Sequence, residues 1–112
     1  PEIYPLSLHY ALPIYVSDPG NQKIEKYTLD GIYLKTFDNS FAGKYITPGG
    51  LVTDPDGNVY FVDSINHRIL KIDSEGNTMT LWGTLGSGKG KFLQPTDLVL
   101  DNSGYLFVLD SA

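Results

Sequence analysis

The 112-residue chain has no cysteine, one methionine, one tryptophan and two histidines. Without cysteine there can be no disulfide and no thiolate-bound zinc, and the redox compartment stays open. Basic residues are few: 8 Lys and Arg stand against 13 Asp and Glu, for a net charge of −5. A nucleic-acid partner is therefore not expected, because neutralising a phosphate backbone takes clustered Lys and Arg. No apolar run approaches the roughly 20 residues of a membrane span. The first residues do not line up the charged, apolar and cleavage segments of a secretory leader. No stretch holds a 3.6-residue apolar stripe long enough for a helix.

Turn formers, in contrast, are plentiful, with 12 Gly and 7 Pro, and the chain repeats itself. "IYVSDPGNQKIEKYTLDG" and "VYFVDSINHRILKIDSEG" share one register, and "LFVLDSA" begins it a third time. Asp18, Asp63 and Asp110 close the three runs at spacings of 45 and 47 residues. Pro48, Leu51, Asp54 and Gly57 return 47 residues later as Pro95, Leu98, Asp101 and Gly104. Asn21, Lys23, Ile24, Gly31 and Phe37 return 45 residues later as Asn66, Arg68, Ile69, Gly76 and Trp82. Within one period, "GLVTD" (50–54), "VYFVD" (59–63), "HRILKI" (67–72) and "TMTLW" (78–82) read as short strands, rich in β-branched, aromatic and aliphatic residues. The turns "PDGN" (55–58) and "SEGN" (74–77) join them, with Gly57 and Gly76 free to take positive φ. Four short strands per 40–50-residue repeat predict an all-β meander, repeated around an axis as a β-propeller.

The run "NVYFVDSINHRILKIDSEG" with "GTLGSGKGKFLQPTDLVLDNSGYLFVLDSA" closely resembles the NHL-repeat proteins. The resemblance covers residues 15–112; the first copy departs from the Asn-His-Arg-Ile signature with Asn21-Gln22-Lys23-Ile24. It implies a fragment of a propeller, usually six-bladed in this family, with about two to two-and-a-half four-stranded antiparallel blades. Residues 15–47 would be strands b–d of one blade, 48–94 a complete blade, and 95–112 strands a and b of a third. The remaining blades of a longer parent would then be the chain's nearest partners. Residues 1–14 break the register: Ile3, His9 and Leu12 stand where Pro, Asp and Gly are due. "PEIYPLSLHYALPI" also resembles a translated sequencing adapter, so the segment is expected to be non-native; a divergent first strand is the alternative.

Three stretches invite chemistry. Gly83-x4-Gly88-Lys89 approaches a P-loop, but Gly90 stands where Ser or Thr should hold Mg²⁺, and Pro95 soon starts a new strand. An inter-blade loop is the expected reading. Asp63, Ser64 and His67 crowd "DSINHR", yet the first copy has Gln22 in place of the His. The resemblance implies a structural role instead: Asp63 and Asn66 bonding the b–c turn, and Arg68 pairing with an acid or carbonyls nearby. "DPDG" and "DNSG" lack the ligand spread of a calcium loop and read as hairpin turns. No catalytic residue, metal or cofactor is expected from the residues present.

Alternating strand direction puts the b–c and d–a loops on one face. The expected ligand face comprises Asp18, Asn21, Gln22, Asp63, Asn66, His67, Lys89 and Lys91, a composition suited to a protein, peptide or glycan ligand. Pro48, Gly57, Arg68, Gly76, Pro95 and Gly104 are expected to serve the framework. A non-catalytic binding and scaffolding platform, extracytoplasmic or secreted, is the expected function. The alternative is part of a propeller lyase, of peptidyl-hydroxyglycine amidating or streptogramin type, with its active residues on other blades. In the amidating lyase, histidines that bind zinc follow the Pro opening the innermost strand; the corresponding residues are Gly49 and Thr96.

Overall fold

The structure, a computed structural model, describes residues 13–38, 41 and 43–111. The expected non-native segment therefore lies outside the described residues except for Pro13 and Ile14, and His9 lies outside them too. Among the described residues, nine strands form three antiparallel sheets of three, four and two strands. The first sheet holds β1 (Ile14–Asp18), β2 (Lys23–Tyr27) and β3 (Tyr33–Phe37). The second holds β4 (Pro48–Thr53), β5 (Val59–Asp63), β6 (Arg68–Ile72) and β7 (Thr78–Trp82). The third holds β8 (Pro95–Leu100) and β9 (Leu106–Asp110). Strands pair in chain order, so each sheet is a meander. The all-β reading holds, and the only helical turn among the described residues is a 3₁₀ turn at Pro19–Asn21.

Two strand starts differ from the sequence reading. β6 starts at Arg68 because His67 sits at φ 55°, in the left-handed region, where no strand continues. Gln22, one repeat earlier, has φ 57°. β4 starts at Pro48, two residues ahead of expectation: Pro48 pairs with Asp63 and Leu51 with Phe61, with a bulge over the two glycines between.

Hairpin turns repeat atom for atom. In each of three, the turn's first Asp donates its N–H to the carbonyl four residues on: Asp54 to Asn58 (3.0 Å), Asp73 to Asn77 (2.9 Å) and Asp101 to Tyr105 (2.9 Å). The fourth residue is a glycine at φ 86–90°, supplied by Gly57, Gly76 and Gly104. The Asp carboxylate accepts the backbone N–H groups two and four residues ahead, fixing the turn from within.

Core packing lies between sheets. Tyr15, Ile24 and Phe37 of the first sheet meet Val59, Phe61, Leu70 and Ile72 of the second, sealed by Phe41 and Ile46. On its other side the second sheet offers Val62 and Ile69 to Leu98 of the third, with Tyr60, Leu106 and Val108 at the margin. β5 and β6 are thus buried on both faces, which is why their apolar residues run on without the alternation of a half-buried strand. Phe37 is buried, at 4% exposed, but its repeat partner Trp82 is 38% exposed. Phe37 is covered by Gly76, in the turn between β6 and β7, where an added Cβ would come within 2.8 Å of the ring.

Candidate functional site: the loop rim and the inner strands

Pro48 and Pro95 open β4 and β8 and are fully buried. A proline cannot donate a backbone N–H, so the residue before it anchors the entry. Thr47 N donates to Asp63 Oδ1 (2.8 Å), and Gln94 N donates to Asp110 Oδ1 (2.7 Å). Ser64 N and Ser111 N then donate back to the carbonyls of Thr47 and Gln94 (3.2 and 3.0 Å). In the second and third sheets the acid closing strand b thus clamps the loop entering strand a.

Asp63 differs from Asp110 in its second oxygen. Its Oδ2 accepts from Arg68 Nε (2.6 Å) and Asn66 Nδ2 (2.9 Å), while Asp110 Oδ2 accepts from the N–H of Leu93 (3.0 Å). Arg68 reaches on to the carbonyl of Lys44 (3.3 Å), and Asn66 to that of Tyr45 (2.8 Å). Asp63 is completely buried, so it cannot serve the ligand face on which it was expected; both its oxygens hold the b–c turn and the preceding loop. That is a correction with a plain cause: a buried carboxylate needs its charge and lone pairs met by protein donors.

The other expected face residues remain accessible. Asn66 and His67 are half-buried, and Asn21, Gln22, Lys89 and Lys91 are exposed. His67 Nδ1 lies 2.8 Å from the carbonyl of Leu93, so the b–c turn and the following loop meet. Their backbones are also close, since a Cβ at Gly83 would come within 2.8 Å of the His67 carbonyl. That loop closes on itself through Phe92 N to Thr84 O (2.9 Å) and Gly86 N to Phe92 O (3.2 Å). It leads into β8, not a helix, so it offers no helix N-terminus to a phosphate. In the first sheet, Asn21 Nδ2 donates to Asp18 (2.9 Å). No described hydrogen bond joins that turn to the His67 turn.

The inner strands approach through their glycines. Ser17 Oγ donates to the Gly49 carbonyl (2.6 Å), and a Cβ at Gly49 would press to 3.0 Å on the Thr96 carbonyl. At Gly50 a Cβ would collide with the Asp97 side chain. Gly49 has no side chain to offer a metal, and the Thr96 hydroxyl engages the Leu109 carbonyl (3.4 Å). These residues do not fit a zinc site. Among the described residues, no group of three His, Cys, Asp or Glu side chains could hold a metal. Sequence reading overlooked Asp97, the one titratable residue on either inner strand. It falls outside the repeat register, where Gly50 is its counterpart.

At the opposite end, Asp54, Asp56, Tyr60, Lys71 and Asp101 line a cleft of about 510 Å³ between the second and third sheets. Lys71 Nζ lies 5.3 Å above the Tyr60 ring, as Lys26 lies over Tyr15 (5.9 Å) one repeat earlier. Burial pushes the Asp54 carboxyl up. The hydrogen bonds from Asn58 and Asp56, with the charge of Lys71, outweigh it and leave the group below the ordinary carboxylate value.

Sheets that stack face to face, with Pro-led strands adjoining along one side, define an arc of a β-propeller. Comparison with known proteins extends this. No protein-family model matches the chain. A probable peptidyl-α-hydroxyglycine α-amidating lyase of Caenorhabditis elegans is 31% identical over 80 residues, covering 68% of this chain and 23% of that protein. Human NHL repeat-containing protein 3 is 25% identical over 124 residues, covering 96% of this chain and 35% of that protein. The crystal structure of a catalytically inactive virginiamycin B lyase from Staphylococcus aureus, solved with quinupristin, superposes with a TM-score of 0.67 at 21% identity, over 88% of this chain and 31% of that one. The chain thus spans about a quarter to a third of the curated relatives described here. It is an NHL/propeller-type segment.

Proposed function

We propose that these sheets belong to a propeller lyase of the α-amidating kind, framing its channel and part of its loop rim while other blades supply the bond-breaking groups. The likeness to the C. elegans lyase carries this reading. The chemistry asks for a base to take the α-hydroxyl proton, cleavage of the C–N bond, and return of a proton to the departing amide nitrogen. The products are a peptide amide and glyoxylate. Gly49 and Thr96 carry no ordinary acid or base, and Asp97 Oδ1 accepts the N–H of Leu98 (2.8 Å). The share of the work assigned to this segment is shape: close-packed inner strands and a polar rim.

The test is a chimera in which this chain replaces the matched segment of the C. elegans enzyme, assayed for glyoxylate release from a peptide ending in α-hydroxyglycine. Release is expected. A folded chimera that binds the peptide but releases nothing overturns the lyase reading. It would favour the second reading, a non-catalytic binding platform for a protein, peptide or glycan, which the accessibility of Asn66, His67, Lys89 and Lys91 supports.

A further inference from the structure

Charge is segregated along this chain. Residues 41–47, 64–67 and 83–94 hold three of its 8 cations, Lys44, Lys89 and Lys91, and none of its 13 acids. The fold brings these segments to one rim. Asn66 Nδ2 donates to the Tyr45 carbonyl (2.8 Å), and His67 Nδ1 lies 2.8 Å from the Leu93 carbonyl. The turn at 64–67 thus touches the loop on either side of it. Two acids that border the rim are already engaged: Asp63 by Arg68, and Asp110 by the N–H groups of Leu93 and Gln94. Among the described residues, Lys44, Lys89 and Lys91 form no ion pair, whereas Lys23 and Lys35 meet Glu25 and Glu75.

Lys44 and Lys91 are repeat counterparts, each four residues ahead of the proline that opens an inner strand. Lys44 is exposed even though the next turn is seated on its loop, with Arg68 bonded to the Lys44 carbonyl (3.3 Å). Exposure at this position is thus a property of the repeat, and Lys91 shares it. Large apolar side chains stand on the same segments: Tyr45 is 65% exposed, Ile65 68% and Leu85 62%. A polyanionic glycan offers nothing to cover them, whereas a peptide can present carboxylates and apolar side chains together. We infer that this rim docks an acidic peptide in which Asp or Glu is interleaved with apolar residues. Its carboxylates meet the three ammonium groups, and its apolar residues lie on Tyr45, Ile65 and Leu85. The inference rests on the second reading, the binding platform, and names the class of its ligand.

Fluorescence anisotropy on the full chain tests it, with a labelled peptide alternating Glu and Leu beside the same peptide with Gln for Glu. The Glu peptide should bind, and more weakly as salt rises; the Gln peptide should not bind. Lys44→Glu and Lys91→Glu should each weaken binding by about fivefold. Lys35→Glu, the same charge change where the side chain reaches the turn at Glu75, should leave it unaltered. Gln replaces Glu in any variant that loses the wild-type β-sheet circular dichroism. Equal binding of the Gln peptide, or an equal loss with Lys35→Glu, overturns the proposal. So does binding of heparin in place of the Glu peptide. In those outcomes the platform reading survives with another ligand. Binding of none of these probes overturns the proposal and also removes this rim's support from the platform reading.

Discussion

At the residue scale, buried charge decides what each acid can do. Asp63 and Arg68 are both buried and bonded to each other at 2.6 Å. Arg68→Ala would leave the carboxylate with amide donors alone, at a cost of about 3–5 kcal/mol. Against a typical total of about 5–15 kcal/mol, that should move the urea midpoint sharply or unfold the chain. Acid acts on the turn aspartates. Hydrogen bonds from Asn77 hold the Asp73 carboxyl below its ordinary value, and Asp54 is lowered as well. A lowered folded pKa contributes stability that is full above the unfolded value, about 3.9, and is lost as pH falls through the folded one. Urea midpoints should therefore be flat from neutral pH down to that range and fall below it. Asp54→Asn should be less stable at neutral pH and fall less steeply in acid. Tyr15 supplies the opposite case: burial, then the charges of Asp73 and Glu75, push its hydroxyl pKa up, and the buried hydroxyl has no hydrogen-bond partner among the described residues. Tyr15→Phe should leave the midpoint unchanged or raise stability by up to about 1 kcal/mol.

At the scale of elements, the hairpin turns were the most legible part of the sequence. Asp-x-x-Gly carries its own hydrogen bonds and its own left-handed residue, so local chemistry suffices. Two of the turn glycines nevertheless do different work. Gly57 has open space around it, while a Cβ at Gly76 would meet the Phe37 ring. Gly57→Ala should cost about 1–2 kcal/mol from the positive φ alone, and Gly76→Ala should add about 1–3 kcal/mol of overpacking. Equal losses in chemical denaturation would show that the first and second sheets do not pack through this contact. The left-handed residues Gln22 and His67 were less legible. Neither is a glycine, and their φ values follow from how strands b and c are tied, by His67 N to Ser64 O (3.3 Å) and Gln22 N to Pro19 O (3.1 Å).

At the scale of the whole molecule, the second sheet is covered on both faces, whereas the third is held on one. Amide exchange should follow that asymmetry, with β9 exchanging faster than β5 and β6. Protection of β9 equal to that of β5 would mean the three sheets open as one unit. The sequence by itself determined the all-β class, the strands, the turns and the 45–47-residue period, because each rests on contacts among neighbours in the chain. Only the tertiary structure decided that Asp63 is a buried clamp while its neighbour His67 reaches the rim, and that Phe37 is sealed while Trp82 is half-open. It alone also put Asp97 against Gly50 on the inner strands. Those outcomes depend on which sheet lies over which, a relation between residues some 20–50 positions apart that no local pattern encodes.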